Sequence, residues 1–173
     1  MSTVSRSIIG KNVKDLRLAL GLSQLKFANI TSLSKQTIIN IESGKKDYSL
    51  GLIDKISNFT GYSLSELSSE RFTPEQDIRE KLLKKYQTNA SFTILNAQPE
   101  IVYAIKYKLL KSDHLQTPKE TNEIKNFFLE KYGWDFIGSS ISNALKRMPE
   151  LIEIKPHVSK KNTNVYLKKQ PGV

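Results

Sequence analysis

The residue types that do catalysis or hold metal ions occur in this chain, but their spacing supports neither role. His114 and His157 lie in separate segments, without the i, i+4 spacing of two ligands on one helix. Ser140 belongs to a serine cluster that suits helix capping and has no G-x-S-x-G sequence around it. Glu150 and Glu153 are isolated charges, whereas a nuclease needs clustered carboxylates to hold its metal. The sequence predicts no enzyme, no metal and no cofactor.

Basic residues outnumber acidic ones throughout the chain. Its 173 residues include 27 Lys and Arg against 17 Asp and Glu, a formal charge of +10. Residues 1–73 contain 10 basic and 6 acidic residues, a net charge of +4, and residues 74–173 contain 17 basic and 11 acidic residues, a net charge of +6. Such an excess favours a polyanionic partner or an acidic surface. With no cysteine, disulfides, thiolate zinc fingers and cysteine nucleophiles are excluded.

The chain carries no signal for a membrane. Residues 1–10 lack the apolar core of a secretory signal. No stretch approaches the ~18 consecutive apolar residues that span a bilayer. We therefore expect a cytoplasmic protein without a membrane partner.

The spacing of apolar residues predicts three short helices in the first half of the chain. Gly21 suits the left-handed position after a first helix, and Ser23 and Ser34 are placed to cap a second and a third. The apolar stripes are Val13, Leu16 and Leu20, then Phe27 and Ala28, then Ile38 and Ile41. Only residues 31–33 separate the last two helices, and so tight a turn favours a crossed helix-turn-helix.

A continuous set of motifs runs through these helices. It comprises Leu22-Ser23-Gln24, Phe27-Ala28, Leu33-Ser34, Thr37-Ile38, Ile41-Glu42 and Gly44-Lys45, then Ser49, Leu52, Ile53, Ile56, Gly61 and Leu67. In these residues the chain resembles the lambda-repressor/Cro (XRE) family, which implies a five-helix DNA-binding domain over residues 1–72. Ser32 departs from the family's usual glycine in the turn, and left-handed geometry there would cost some strain. Tyr48 stands where proline is common.

The resemblance implies a role for each matching position. The third helix of such domains enters the major groove of double-stranded DNA, and the second begins against the backbone. Base contacts are expected from Lys35, Gln36, Thr37 and Asn40, and backbone contacts from Ser23, Gln24, Lys45 and Lys46. Arg17 and Glu42 are expected to form a largely buried structural ion pair. The alternative is that the polar residues of the third helix only solvate an exposed face.

A new pattern begins after Thr73. Pro74 can open a helix over residues 75–86, which we expect to be a linker within residues 73–97. A helix is predicted over residues 99–110, and another from Thr117, where Pro118 and Glu120 complete an N-terminal capping pattern. A further helix opens at residues 138–140.

The last part of the chain changes to strand periodicity. Leu151 to Ile154 and Val165 to Leu167 predict two strands joined by a basic loop. Residues 98–173 therefore resemble a winged helix. A second DNA site is expected at Ser140, Asn143, Lys146, Arg147, His157, Lys160 and Lys161. The alternative for these residues is a dimerisation or protein-docking module.

The overall expectation is a mainly α fold with two domains. An N-terminal five-helix lambda-repressor-like domain precedes an α+β winged-helix-like domain with a C-terminal β-hairpin. We expect such a chain to be a sequence-specific transcriptional regulator that binds as a homodimer, because one helix reads few base pairs. Two alternatives keep the DNA reader. One is an antitoxin or phage or plasmid maintenance factor whose residues 74–173 bind a protein, and the other a replication or partition protein with two DNA-binding domains.

Overall fold

The chain divides into two structural units, Met1–Glu100 and Ile101–Val173. The structure is a computed structural model that describes residues 3–170, with side chains from residue 5 onward. The mainly α fold is confirmed, and its strands all lie in the second unit. No helix in residues 3–170 combines the length and the apolar character that crossing a bilayer requires.

The first unit begins with five helices in the predicted region. They are α1 (Thr3–Ala19), α2 (Gln24–Ile30), α3 (Lys35–Ser43), α4 (Leu50–Thr60) and α5 (Leu64–Leu67). Ser23 and Ser34 cap α2 and α3 as expected, each accepting a hydrogen bond from a backbone N–H three residues on. Gly21, Gly44 and Gly61 follow α1, α3 and α4 with positive φ. The local sequence thus sets where these helices stop.

One apolar core joins the five helices. Its fully buried members include Val13, Leu16, Leu20, Phe27, Ile38, Ile41, Ile53, Ile56 and Leu67. Asn12 is also buried, and its side-chain amide donates to the backbone oxygens of Leu67 and Ser69 at 2.9 and 2.7 Å. These bonds fasten α1 to the end of α5.

The segment expected to be a linker forms two helices, α6 (Ile78–Lys85) and α7 (Ala90–Asn96), inside the first unit. Arg79 of α6 is buried, and its guanidinium donates to the backbone oxygens of Leu20, Leu95 and Ala97. Tyr86 stacks on Phe59 with ring centroids 5.1 Å apart and donates its hydroxyl to the Phe59 carbonyl. Residues 78–97 therefore pack on the five-helix core.

The second unit opens with helical segments. The short helix α8 (Ile101–Tyr103) continues as a π-helix, Ala104–Leu109, and a 3₁₀ turn, His114–Gln116, follows. Next come strand β1 (Lys119–Glu120), helix α9 (Thr121–Tyr132) and helix α10 (Gly138–Lys146). Gly133 ends α9 with a φ of 69°. Ile141, Ala144, Leu145 and Met148 face the core of this unit, as their spacing predicted.

The predicted helix start at Thr117 is wrong. Lys119 and Glu120 pair instead with Tyr166 and Val165 of the last strand, and this pairing keeps them extended. The helix starts two residues after Lys119, and the Glu120 N–H donates to the Glu123 carboxylate at 2.8 Å. The capping box that forms is a different one, with Glu120 at the N-cap and Glu123 reaching back to it, so the predicted pattern of Thr117, Pro118 and Glu120 does not cap this helix.

Strands β2 (Ile152–Pro156) and β3 (Asn164–Lys168) form the predicted C-terminal hairpin. With β1 they make a three-stranded antiparallel sheet in the order β1-β3-β2, with Ile154 opposite Tyr166. Tyr166 is buried and joins the core cluster that contains Phe128 and Ile141. Residues 157–163 form the loop at the tip.

Candidate nucleic-acid interface

The turn before α3 has the sharp geometry expected of a helix-turn-helix. Leu33 N–H donates to the Ala28 carbonyl at 2.9 Å, and Ser32 N–H donates to the Asn29 carbonyl at 3.2 Å. Ser32 has a φ of 53°, so a serine occupies a left-handed conformation that glycine adopts without strain. The expected strain at this departure from the family pattern is therefore present.

The outer edge of α3 carries uncharged and positive polar groups. Lys35 and Gln36 are exposed, while Thr37 and Asn40 are half-buried. The Gln36 amide Nε2 donates to Asn40 Oδ1 at 3.0 Å, and Thr37 Oγ1 shares a 2.8 Å hydrogen bond with Ser34 Oγ. The structure brings all four expected base-contacting residues to the first two turns of one helix. The amide pair is already aligned along the helix.

The inner face of α3 lies very close to α1. Ile38 and Ile41 are fully buried. A Cβ placed on Gly10 of α1 would stand 2.4 Å from the Ile41 carbonyl oxygen, so only glycine permits this approach. Gly44 lies beside the backbone of Ser7 in the same way, with a φ of 63°. Two glycines thus set the distance between α1 and the end of α3.

A buried charged network fixes the orientation of α3. Arg17 Nε lies 2.6 Å from Glu42 Oε1, and Arg17 Nη2 lies 3.0 Å from Glu42 Oε2. The two side chains are only 9% and 5% exposed. Arg17 Nη1 also donates to the Leu22 carbonyl at 2.9 Å, which includes the start of α2 in the network. This bidentate geometry fixes α1 and the start of α2 relative to α3.

The residues expected to contact the DNA backbone fall into two groups. Ser23 and Gln24 are half-buried and have partners: Ser23 Oγ accepts from Lys26 N, and Gln24 Nε2 donates to Glu42 Oε2 at 2.9 Å. Lys45 and Lys46 are exposed in the loop that follows α3. No spacing signal in the sequence identifies Glu42 as the partner of Gln24.

The loop after Lys46 is held against α1. Arg6 forms an ion pair with Asp47, and the Tyr48 hydroxyl lies 3.5 Å from the Arg6 carbonyl. Burial raises the pKa of the Tyr48 phenol, and the nearby Arg6 charge opposes the rise. Tyr48 therefore replaces the usual proline with a side-chain contact that restrains the loop.

In the second unit, the expected site residues occupy two places. Ser140, Asn143, Lys146 and Arg147 are exposed on α10 and the residue after it. At the hairpin tip, Lys161 is exposed.

The other two hairpin residues contact Glu120 of β1. His157 Nε2 lies 3.2 Å from Glu120 Oε1, and Lys160 forms an ion pair with the same oxygen. His157 Nδ1 accepts from the backbone N–H groups of Ser159 and Lys160 at 3.1 Å each. No sequence pattern links Glu120 to the hairpin, because the two lie far apart along the chain. These contacts stabilise the turn of the hairpin.

A metal-binding cluster is not found in the part of the chain that the structure describes. No three His, Cys, Asp or Glu side chains within residues 3–170 come together in a way that could hold an ion.

Comparison with known proteins gives matches to the first part of the chain. Residues 13–67 match the family model described as Helix-turn-helix. The antitoxin PezA of Streptococcus pneumoniae is 36% identical over 63 residues, which are 36% of this chain and 40% of the antitoxin. The match thus spans well under half of either protein. No solved structure gives a significant match. Residues 13–67 form a helix-turn-helix domain of the lambda-repressor/Cro (XRE) type.

Proposed function

We propose that the chain is a sequence-specific DNA-binding transcriptional regulator that reads its operator through α3. One observation carries the proposal. Lys35, Gln36 and Asn40 form an outward polar edge on a helix whose opposite face is fixed by Ile38 and Ile41 in the core. A rigid helix with a polar outer edge is what direct readout in the major groove requires.

Each side chain suits a base edge. Lysine can donate to guanine O6 and N7, and a glutamine or asparagine amide can pair with adenine N6 and N7. The Gln36 amide gives one N–H to Asn40 and keeps its oxygen and its second N–H for a base. Thr37, held by Ser34, contributes a methyl group for contact with thymine. The edge is therefore suited to a short mixed sequence.

Backbone contacts set the position of α3 on the duplex. Lys45 and Lys46 are exposed immediately after α3 and are assigned to phosphates, with Ser23 at the start of α2. Gln24 donates to Glu42 in the free protein, and its amide has a second N–H that can reach a phosphate while this bond is kept. Gln24 would then connect the backbone contact to the recognition helix.

Two copies of the chain are proposed to bind a two-fold symmetric operator. One recognition helix contacts only a few base pairs, and a dimer doubles the contact. The family resemblance implies repression as the direction of control, and we place this regulation in the cytoplasm. The formal charge of +10 supports association with DNA in either case.

The second unit is proposed to be a winged-helix-like module. Its order of helix, strand, two helices and hairpin, with the sheet order β1-β3-β2, supports that proposal. On this model Ser140, Asn143, Lys146 and Arg147 face a groove, and Lys161 faces phosphates. His157 and Lys160 would reach phosphates only in addition to, or in exchange for, their contacts with Glu120.

Selection from random double-stranded DNA with the intact chain tests the main proposal. We expect enrichment of a defined, two-fold symmetric site. Gln36→Ala should then bind that site more weakly by about 1–3 kcal/mol and accept other bases at one position of each half-site. The matched control is Asn58→Ala, an exposed amide on α4, which should leave affinity and preference unchanged. Failure to enrich any sequence would contradict the proposal.

An antitoxin is the second candidate function, because the antitoxin PezA matches part of the chain. The first unit would then regulate its own operator, and residues 74–173 would bind a protein. Co-expression with the product of the neighbouring open reading frame tests this candidate. A stable complex that survives Gln36→Ala and is lost on deleting residues 101–173 would support it, and the absence of a complex would contradict it.

A further inference from the structure

A cavity of about 460 Å³ opens in the second unit between residues 101–106 and α10. Its floor is apolar and consists of Ile101, Val102, Ala144 and Met148. Ala144 and Met148 are 6% and 4% exposed, so they belong to the core and give the floor a fixed shape. The volume lies within the range of sites that bind small molecules.

Polar side chains surround this floor. Lys106, Ser140, Asn143, Arg147 and Glu150 line the cavity, and all five are exposed. Among residues 3–170, none of these five side chains makes a hydrogen bond or ion pair with another residue of the chain. Glu150 stands on the same rim without pairing with either cation. Both cations are therefore available to a ligand.

The backbone at Lys106 is unusual. Residues 104–109 form a π-helix, and Leu110 N–H donates to the Ile105 carbonyl at 2.9 Å across five residues. Such turns are rare and are frequently found at functional sites. Lys106 of this π-helix lines the cavity together with Arg147, the residue that follows α10.

We propose that this cavity binds a small amphipathic carboxylate. The hydrocarbon part lies on the apolar floor, and the carboxylate is held by Arg147 and Lys106. The Arg147 guanidinium offers two parallel N–H donors to a carboxylate, and Asn143 and Ser140 complete its hydrogen bonds. The rim carries two cations, Lys106 and Arg147, and one carboxylate, Glu150, so its net charge is positive before the ligand binds. The proposal goes beyond DNA binding by α3 and does not depend on it, and it is an alternative to the groove contacts proposed above for Ser140, Asn143 and Arg147.

Calorimetric titration of the intact protein with octanoate, below its micellar concentration, tests the site. We expect saturable binding at one site per chain. Acetate lacks the hydrocarbon, while octanol and octylamine lack the negative charge, so each should bind at least about tenfold more weakly. No saturable octanoate binding, or equal binding of octylamine, would overturn the proposal.

Two rim variants locate the ligand. Arg147→Gln and Lys106→Gln should each weaken octanoate binding by about tenfold, because each removes one charge-assisted contact. Lys146→Gln is the matched control, since Lys146 is exposed on α10 next to Arg147 but does not line this cavity. All three change exposed side chains, and a thermal melt verifies folding. Equal weakening by Lys146→Gln and Arg147→Gln would place the ligand elsewhere and overturn the assignment.

Discussion

Arg17 and Glu42 place opposite charges in the space between α1 and α3. Both are largely buried, so each depends on the other for compensation. Arg17→Met leaves the Glu42 carboxylate without its cation and should lower the free energy of unfolding by about 3–5 kcal/mol. Urea denaturation followed by circular dichroism measures this loss.

The control for this prediction is Lys14→Met on the same helix. Lys14 is exposed, and its replacement should change stability by less than about 0.5 kcal/mol. If both variants lost the same stability, the ion pair would not hold α3 as described here.

At the scale of residues, helix caps could be predicted from the local sequence, whereas hydrogen-bond and ion-pair partners far apart along the chain could not. Ser23 and Ser34 cap their helices where their types and positions indicated. Arg17 and Glu42 came from the family resemblance. Nothing in the sequence links Gln24 to Glu42, or Glu120 to His157, because such contacts depend on how the elements pack.

At the scale of elements, the crossing of α1 and α3 depends on a glycine. Alanine generally favours a helix over glycine by up to about 1 kcal/mol. At Gly10, however, the added methyl group would meet the Ile41 carbonyl at 2.4 Å, and overpacking of this kind costs about 1–3 kcal/mol. Gly10→Ala should therefore destabilise the first unit and weaken DNA binding, as measured by thermal melting and a binding titration.

Gly51 of α4 provides the matched control. A Cβ there meets nothing within 4 Å. Gly51→Ala should leave DNA affinity unchanged and stability equal or higher by up to about 1 kcal/mol. The close approach of α1 to α3 would be irrelevant if Gly10→Ala behaved like Gly51→Ala.

The helices α6 and α7 are joined to the first unit through Arg79. Its guanidinium donates hydrogen bonds to backbone carbonyl oxygens at the end of α1 and at the end of α7. Arg79→Met removes these donors and should cost on the order of 3 kcal/mol. Hydrogen exchange should show faster exchange over residues 78–97, whereas exposed Lys84→Met should not. Unchanged exchange in Arg79→Met would contradict this role.

Most elements could be predicted, and those that were missed are short. Apolar spacing and caps identified α1 to α3, the family resemblance implied α4 and α5, and the change of period identified β2 and β3, whereas α7 was not predicted. The extended residues of β1 were missed because two residues carry no periodic signal, and their conformation depends on pairing with Tyr166 and Val165. The same dependence on distant partners explains why the packing of α6 and α7 was not predicted.

At the scale of the whole molecule, the boundary of the first unit decides which N-terminal fragment keeps its complete core. The structure divides the chain after Glu100, and residues 78–97 cover part of the core through Arg79 and Tyr86. A fragment of residues 1–100 should melt cooperatively, and a fragment of residues 1–72 should melt at a lower temperature. Calorimetry of the two fragments measures the difference. Equal melting temperatures would mean that α6 and α7 contribute nothing to this core.

The contribution of the second unit to DNA binding is measured by salt dependence. Each phosphate contact adds about 0.9 to the slope of log K against log salt concentration. If the second unit contacts phosphates, the intact chain should show a steeper slope than residues 1–100 on the selected site. Lys161→Ala should then reduce that slope by about 1. Equal slopes for the chain and the fragment would instead favour the protein-docking role of the second unit.

Base readout by α3 is the basis of the proposed function. Its most direct test replaces each adenine of the selected site in turn by 7-deazaadenine, which removes the N7 acceptor, and measures binding by wild type and Gln36→Ala. We expect one position in each half-site where the base change weakens binding by wild type by about 1–3 kcal/mol and leaves Gln36→Ala unaffected. Equal penalties for both proteins at every position, and for the corresponding Asn40→Ala variant, would contradict it.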